Sequence, residues 1–423
     1  MSDALMPEGL SLDDAIVSAK TYADPKAYDA LFAQLRRETA LRWTEPTGYR
    51  PFWTVTKYKD IQDIESKPDA FLNAPRLLLR TIKDEEKTKQ LTGGSTLLLR
   101  NLVNMDAPDH AVYRKLTQAW FMPVHIKALE DDLHALAREY VQRMVDMGGA
   151  CDFVRDVAVW YPLRVIMRIL GVPEEDEPKM LKLTQEIFGP DDPDIKQGGG
   201  NRNLAETVAE FGRYFGALTA ERRKNPTSDV ASIIANAEIG GKPIADHEAL
   251  SYYIIIATAG HDTTSSTTAG GLLALIENPE QLARLQADPV LLPGAVDEMI
   301  RWVTPVKHFF RTATRDYTMR GKTIRADDTL MMCYPSANRD EEIFENPFVF
   351  DISRSPNRHI AFGYGPHVCL GQYLAKMEVR IFFEELLAKV GGFMLAGEPA
   401  WVQSNFVSGL KRMPIRYETK AKT

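Results

Sequence analysis

The sequence is poor in cysteine, has no excess of basic residues, and contains no apolar run long enough to span a bilayer. Cys151, Cys333 and Cys369 are its only cysteines. Three thiols cannot build a disulfide framework, and without a CxxC pair a zinc ribbon or redox dithiol is excluded. If one cysteine matters, it matters as a lone thiolate. Lys and Arg total 51 against 58 Asp and Glu, a net charge of −7 that argues against nucleic-acid binding as a bulk property. The N-terminal MSDALMPEGLSLDDA is acidic and lacks the basic and apolar regions of a targeting signal. The run Tyr252–Ala259 is too short to cross a membrane and leads into Gly260, His261 and Asp262. A soluble, cytoplasmic protein is expected. Repeats and low-complexity linkers are also missing.

What is present is helical periodicity. Val124–Met147 carries a stripe of Ile126, Leu129, Leu133, Leu136, Ala137, Tyr140, Val141 and Met144, started by Pro123 and stopped by Gly148-Gly149. Further helices are expected over 108–120, 153–170, 174–188, 201–224, 246–277, 291–303 and 370–390. Strand signals are fewer: Phe52–Thr56, and a strand–turn–strand over Tyr317–Leu330 turning at Arg320-Gly321. The fold class is mainly α with a smaller β portion near 50–61 and 308–334. Two irregular stretches stand out: Gly189 to Gly200, and a long leucine-rich segment from Pro75 to Asn104 of the kind that forms lids or binding loops.

The sharpest segment is Phe362-Gly363-Tyr364-Gly365-Pro366-His367-Val368-Cys369-Leu370-Gly371, followed by a helical pattern. It places Cys369 at a helix N-terminus, where the dipole and free N–H groups favour an anion and should lower the thiol pKa. Gly363 and Gly365 permit tight turns, and Gly371 allows a flat molecule to lie against the backbone. A lone cysteine is usually inert core; this glycine spacing reverses that expectation. A dinucleotide fingerprint fails for want of the third glycine. A Cys–His nucleophile using His367 stays open, although the spacing alone does not bring the imidazole to the sulfur.

The segment matches FGxGxHxCxG at every fixed position and resembles the haem-binding loop of cytochromes P450. The resemblance runs from about Tyr28 to Tyr417. It implies a P450 fold with haem b held between helices 246–277 and 370–390, and Cys369 as the iron ligand beside Phe362 and Gly371. A thiolate ligand favours O–O bond cleavage. It also implies one haem-centred domain over residues 1–423, since cutting the chain at intervals of about 150 residues would divide the site.

The helix 246–277 has a poor helix centre, Ala259-Gly260-His261-Asp262-Thr263-Thr264-Ser265-Ser266-Thr267-Thr268-Ala269-Gly270-Gly271, between two apolar ends. Such a conflict marks either a functional site or close helix packing. The stretch resembles the family's [AG]-G-x-[DE]-T oxygen-binding pattern. That resemblance implies that Ala259 and Gly260 open a groove for the cofactor, that Thr263 hydrogen-bonds O2, and that Asp262 relays protons.

Glu298 and Arg301 share one helix face. An i, i+3 pair is normally an exposed one of small worth. Here it matches the family's ExxR, 71 residues before Cys369, which implies a buried structural network with Arg354 as third member. His110 and Arg114, in an HxxxR spacing, together with Arg311 and His367, match the family's partners of the haem propionates.

The resemblance is closest to the alpha-terpineol-oxidising branch, carried by Trp120–Pro123, Met180–Gln185, Ala257–Ser266, Tyr334–Glu342 and Asn405–Val407. It implies a monooxygenase that hydroxylates a compact hydrophobic substrate, a monoterpenoid or an alkyl or aryl hydrocarbon, with O2 and two electrons from a 2Fe-2S ferredoxin and its reductase. The pocket candidates are Leu97, Leu98, Leu99, Ile255, Ala259, Val306, Phe309 and Phe406. Arg114, Lys115 and Lys376 would form a basic docking patch, and a monomer is expected. The alternatives are a peroxide-driven haem-thiolate enzyme, disfavoured by the intact Asp262-Thr263 pair, and a haem-free helical binding protein.

Overall fold

Nearly every expected helix is present in the computed structural model, which describes residues 9–188, 192, 194 and 204–420. The long helix Asp246–Glu277 runs through the main core. Trp160–Ile169, Leu204–Lys224, Leu292–Val303 and Gln372–Lys389 all pack on it. Among the described residues no helix is long and apolar enough to cross a membrane.

The long helix keeps its poor sequence because its neighbours come too close for side chains. A Cβ on Gly270 would sit 2.6 Å from Val303, and one on Gly271 would sit 2.8 Å from Met299. A Cβ on Gly260 would lie 2.8 Å from Ile166. These contacts with two flanking helices replace the helix propensity that glycine gives up. The hydroxyls of Thr263, Thr267 and Thr268 donate to carbonyls one turn back, so they stay satisfied inside the helix.

The β portion is a five-stranded sheet. In spatial order its strands are Leu41–Thr44, Phe52–Val55, Thr329–Cys333, His308–Ala313 and Phe71–Leu72. Thr329–Cys333 runs parallel to Phe52–Val55 and antiparallel to His308–Ala313, with Leu330 opposite Arg311. That register seats Arg311 mid-sheet. A smaller sheet joins Val390–Leu395, Pro414–Thr419 and Ala150–Asp152.

Several boundaries depart from the sequence expectations. The expected helix 124–147 is two pieces, Pro123–Lys127 and Glu130–Asp146. The region near 50–61 is strand only over Phe52–Val55 and then helix over Tyr58–Glu65. The Tyr317–Leu330 segment forms the expected hairpin, Tyr317–Met319 with Lys322–Ile324, and its last residues enter the large sheet. The segment 75–104 is not structureless. It contains the helix Ile82–Thr92, started by the Thr81 side chain accepting from the Asp84 N–H and ended by Gly93 at φ 69°. Its sequence is polar on nearly every face, so no apolar stripe announced it. The loop expected over 189–200 lies outside the described residues, apart from Asp192 and Asp194.

Candidate functional site

One cavity lies between the long helix and the cysteine loop. Its walls carry Ala259, Gly260 and Thr263 from the helix, and Phe362, Gly363, His367, Cys369 and Gly371 from the loop. Gly365 is obligatory here: its φ is 69°, and a Cβ would lie 2.3 Å from the Glu65 carbonyl oxygen. The Cys369 N–H donates to the Phe362 carbonyl at 2.8 Å, which closes the loop before the helix Gln372–Lys389. Burial pushes the Cys369 thiol up, and the Gly371 N–H and the Arg114 charge pull it back only in part. The expectation of a lowered thiol pKa is therefore corrected. The helix terminus acts as expected, but desolvation outweighs it.

His110, Arg114, Arg311 and His367 converge on the same cavity. The two imidazoles stack with centroids 3.8 Å apart. Desolvation, followed by Arg114 and against Asp106, lowers His110 to about 4; desolvation, followed by the His110 ring and then Arg311 and Arg114, lowers His367 to about 2. Both rings are neutral at pH 7, so in this state they offer hydrogen bonds rather than charge. His367 Nε2 is engaged by the Asn73 side-chain amide, whereas His110 Nε2 is buried without a hydrogen-bond partner. Arg114 donates to the Val368 carbonyl at 2.8 Å, and Arg311 pairs with Glu65 at 2.8 Å.

On the opposite wall, the Thr263 hydroxyl donates to the Ala259 carbonyl at 2.8 Å. Its proton is therefore committed to the helix, and its lone pairs are free. Asp262 adjoins it but does not line the cavity. Burial raises the Asp262 pKa, with His261 opposing, and Oδ2 has no hydrogen-bond partner. His261 Nε2 lies 3.0 Å from the Val159 carbonyl, and Nδ1 lies 3.3 Å from Asp262 Oδ1. An acid poised in this way can hold a proton and release it beside a hydroxyl.

Glu298, Arg301 and Arg354 meet behind the cysteine loop. Glu298 accepts from Arg301 at 2.7 and 2.8 Å, from Arg354 at 3.2 Å, and from Asn357 and the Asp351 N–H at 3.0 Å each. Arg301 also donates to the Asn338 and Pro347 carbonyls at 2.9 Å. Both side chains are 0% exposed.

Of the pocket candidates, Ile255, Ala259, Val306 and Phe309 line the cavity. Leu97, Leu98, Leu99 and Phe406 do not. Leu102 and Val103, on the short turn Leu102–Asn104, take the place expected for the three leucines. Phe406 stands behind the wall, with its ring 5.5 Å from that of Phe309. Leu77, Phe121 and Ile166 also contribute and were missed, because nothing marks a lining leucine or isoleucine apart from a core one. Glu65, Asn73 and Glu378 were missed too. Glu378 did carry a signal: an acid among the buried Leu374, Val379, Ile381 and Phe382 of one helix. Lys115 is exposed as a docking residue should be, whereas Lys376 pairs with Asp297 at 2.7 Å and Arg114 turns inward.

These residues fit haem. A thiol lines the cavity, the space beside Gly371 is open, and the cationic Arg114 and Arg311 and the unpartnered His110 Nε2 are of a chemistry that suits its acidic arms. A family profile described as Cytochrome P450 matches residues 216–391. The chain is 45% identical to cytochrome P450-terp of a Pseudomonas species, over 99% of both chains. It is 30% identical to linalool 8-monooxygenase of Pseudomonas putida, over 91% of this chain and 94% of that one. A crystal structure of a Novosphingobium aromaticivorans cytochrome P450 superposes with a TM-score of 0.90 at 44% identity, covering 97% of this chain and 98% of that one.

Proposed function

The chain belongs to the cytochrome P450 family and is a haem-thiolate monooxygenase, and on that premise we propose that it hydroxylates a compact hydrophobic molecule, a monoterpenoid or an alkyl or aryl hydrocarbon. The haem-free alternative is set aside by the family. The observation that carries the substrate reading is the cavity wall beyond the thiol. Ile255, Ala259, Val306, Phe309, Leu102, Val103 and Phe121 give the cavity an apolar face beside Thr263 and its threonine neighbours. Such a wall selects by shape and by desolvation. P450-terp and linalool 8-monooxygenase, the latter named for a terpene alcohol, are relatives in keeping with that class.

Bound haem supplies O2 activation at a thiolate-ligated iron. The chain's own residues prepare for it. Cys369 would be the ligand, and Arg114, Arg311, His110 and His367 would hold the two carboxylates. Thr263 keeps its own proton on Ala259 and accepts a hydrogen bond from whatever enters the cavity. Asp262 stores a proton that it can release beside the Thr263 hydroxyl. The apolar wall excludes water. Electrons come from a 2Fe-2S ferredoxin docking near the exposed Lys115. Residues 1–423 are read as one haem-centred domain, monomeric and cytoplasmic.

Titrating the holoenzyme with monoterpenoids and alkylbenzenes tests the substrate class. A compact member of the panel should shift the Soret band through the iron spin state; silence across the whole panel would reject the pocket. Product formation with ferredoxin, reductase and NAD(P)H is expected. Turnover only with peroxide would favour the peroxide-driven alternative.

A further inference from the structure

Arg311 has two claims on it. It is an anchor for an acidic arm of the cofactor, and it is already the ion-pair partner of Glu65. Glu65 ends the helix Tyr58–Glu65, and its side chain is 2% exposed. Its carbonyl abuts Gly365, which fixes the helix end against the cysteine loop. Oε1 accepts from Arg311 at 2.8 Å and from the Tyr334 hydroxyl at 2.7 Å. Oε2 is buried without a hydrogen-bond partner, in a residue that lines the haem cavity.

The ionisable groups around this carboxyl can be counted. Arg311 faces it from the sheet, Tyr334 from a short helix, and the Tyr364 N–H from the loop. Arg114, His110 and His367 complete the cavity rim. The cations at this rim that stay charged at every working pH are the guanidinium groups of Arg114 and Arg311. Haem brings two carboxylates, which those two arginines balance. An ionised Glu65 adds a third negative charge to a desolvated site, at the negative end of its own helix. Burial already pushes its carboxyl up, against the pull of Arg311, the Tyr334 hydroxyl and the Tyr364 N–H.

We propose that Glu65 matches the charge of the cofactor: it takes up one proton on Oε2 when the two haem carboxylates engage Arg114 and Arg311, and so couples haem retention to pH. The proton comes from solvent and no electron moves. The inference rests on the haem-thiolate reading. Because the haem-bound form carries the extra proton, retention strengthens as pH falls and weakens as pH rises through the window between the two Glu65 titrations.

The test follows haem transfer from the holoenzyme to excess apomyoglobin, from mildly acid to mildly alkaline pH. In the native protein the rate should rise with pH, by up to about tenfold per unit inside the window. Glu65→Gln is neutral at every pH and should flatten that rise. It should also remove a protonated-carboxyl infrared band of the native holoenzyme. Tyr334→Phe removes a hydrogen bond that favours the ionised form, and should move the window to higher pH even if Glu65→Gln fails to fold. A pH-independent native rate would overturn the proposal, as would parallel curves for native protein and Glu65→Gln, or an unmoved Tyr334→Phe curve. The carbon monoxide complex of each reduced protein is read alongside. A red-shifted Soret band upholds thiolate ligation independently, and its loss would indict that reading instead.

Discussion

Two groups of buried charges lie on either side of the cysteine loop, and they are built on opposite rules. Behind the loop, Glu298 and Arg301 are fully enclosed, and each is surrounded by partners. Around the cavity, His110 Nε2, Glu65 Oε2, Asp262 Oδ2 and Glu378 Oε2 are buried with no hydrogen-bond partner. A saturated network has nothing left to bind and serves to hold a shape. An unsaturated wall costs stability, because each orphaned polar group forfeits its hydration, and it leaves valences for a cofactor and a proton path.

The comparison breaks most visibly if a partner is removed from the saturated side. Glu298→Gln leaves Arg301 and Arg354 short of a counter-charge and should cost roughly 3–5 kcal/mol. Chemical denaturation of the holoenzyme measures it. Asp262→Asn, on the unsaturated side, replaces a buried acid that has no partner on Oδ2 and should leave stability almost unchanged. Equal losses in the two variants would erase the distinction.

Activity should show the reverse order. Asp262→Asn removes the stored proton and should slow turnover by roughly 10²-fold or more, with substrate binding retained. Thr263→Ala should leave electron consumption running while product falls, read as product formed per NAD(P)H consumed. Full coupling in Thr263→Ala would take Thr263 out of the proton path.

The smallest effect comes from a buried group elsewhere whose ring nitrogens are, like the saturated charges, both partnered. His308 is buried in the sheet, accepts from the Leu79 N–H on Nε2, and has Nδ1 2.9 Å from the Asn405 carbonyl. That pairing requires the neutral ring, and burial lowers its pKa from 6.5 to about 4. The unfolded chain therefore binds a proton that the native chain refuses, and stability declines as pH falls from 6.5 towards 4. His308→Gln should make that decline shallower in denaturation midpoints taken across the same range.

Much of the site was legible because its residues are close in sequence or carry rare chemistry. The ten residues ending at Gly371, the HxxxR and ExxR spacings, and Asp262-Thr263 are all local signals. The unread part has no local mark. Glu65 and Asn73 reach the cavity from segments about 300 residues before the cysteine loop. Leu102 and Val103 line it where Leu97, Leu98 and Leu99 were expected, since leucines in one loop are equivalent until the chain is packed. The poor centre of the long helix had two candidate causes, and both operate: close packing at Gly270 and Gly271, chemistry at Ala259 to Thr263.

From the sequence alone followed the helical class and, through the family resemblance of short motifs at fixed separations, Cys369 as candidate ligand, the acid–alcohol pair and the arginine–glutamate scaffold. Tertiary structure alone decided which charges are saturated. It set the direction of the Cys369 pKa, kept both rim histidines neutral in the haem-free cavity and paired Arg311 with Glu65. These are properties of desolvation and of long-range proximity, and a linear pattern contains neither.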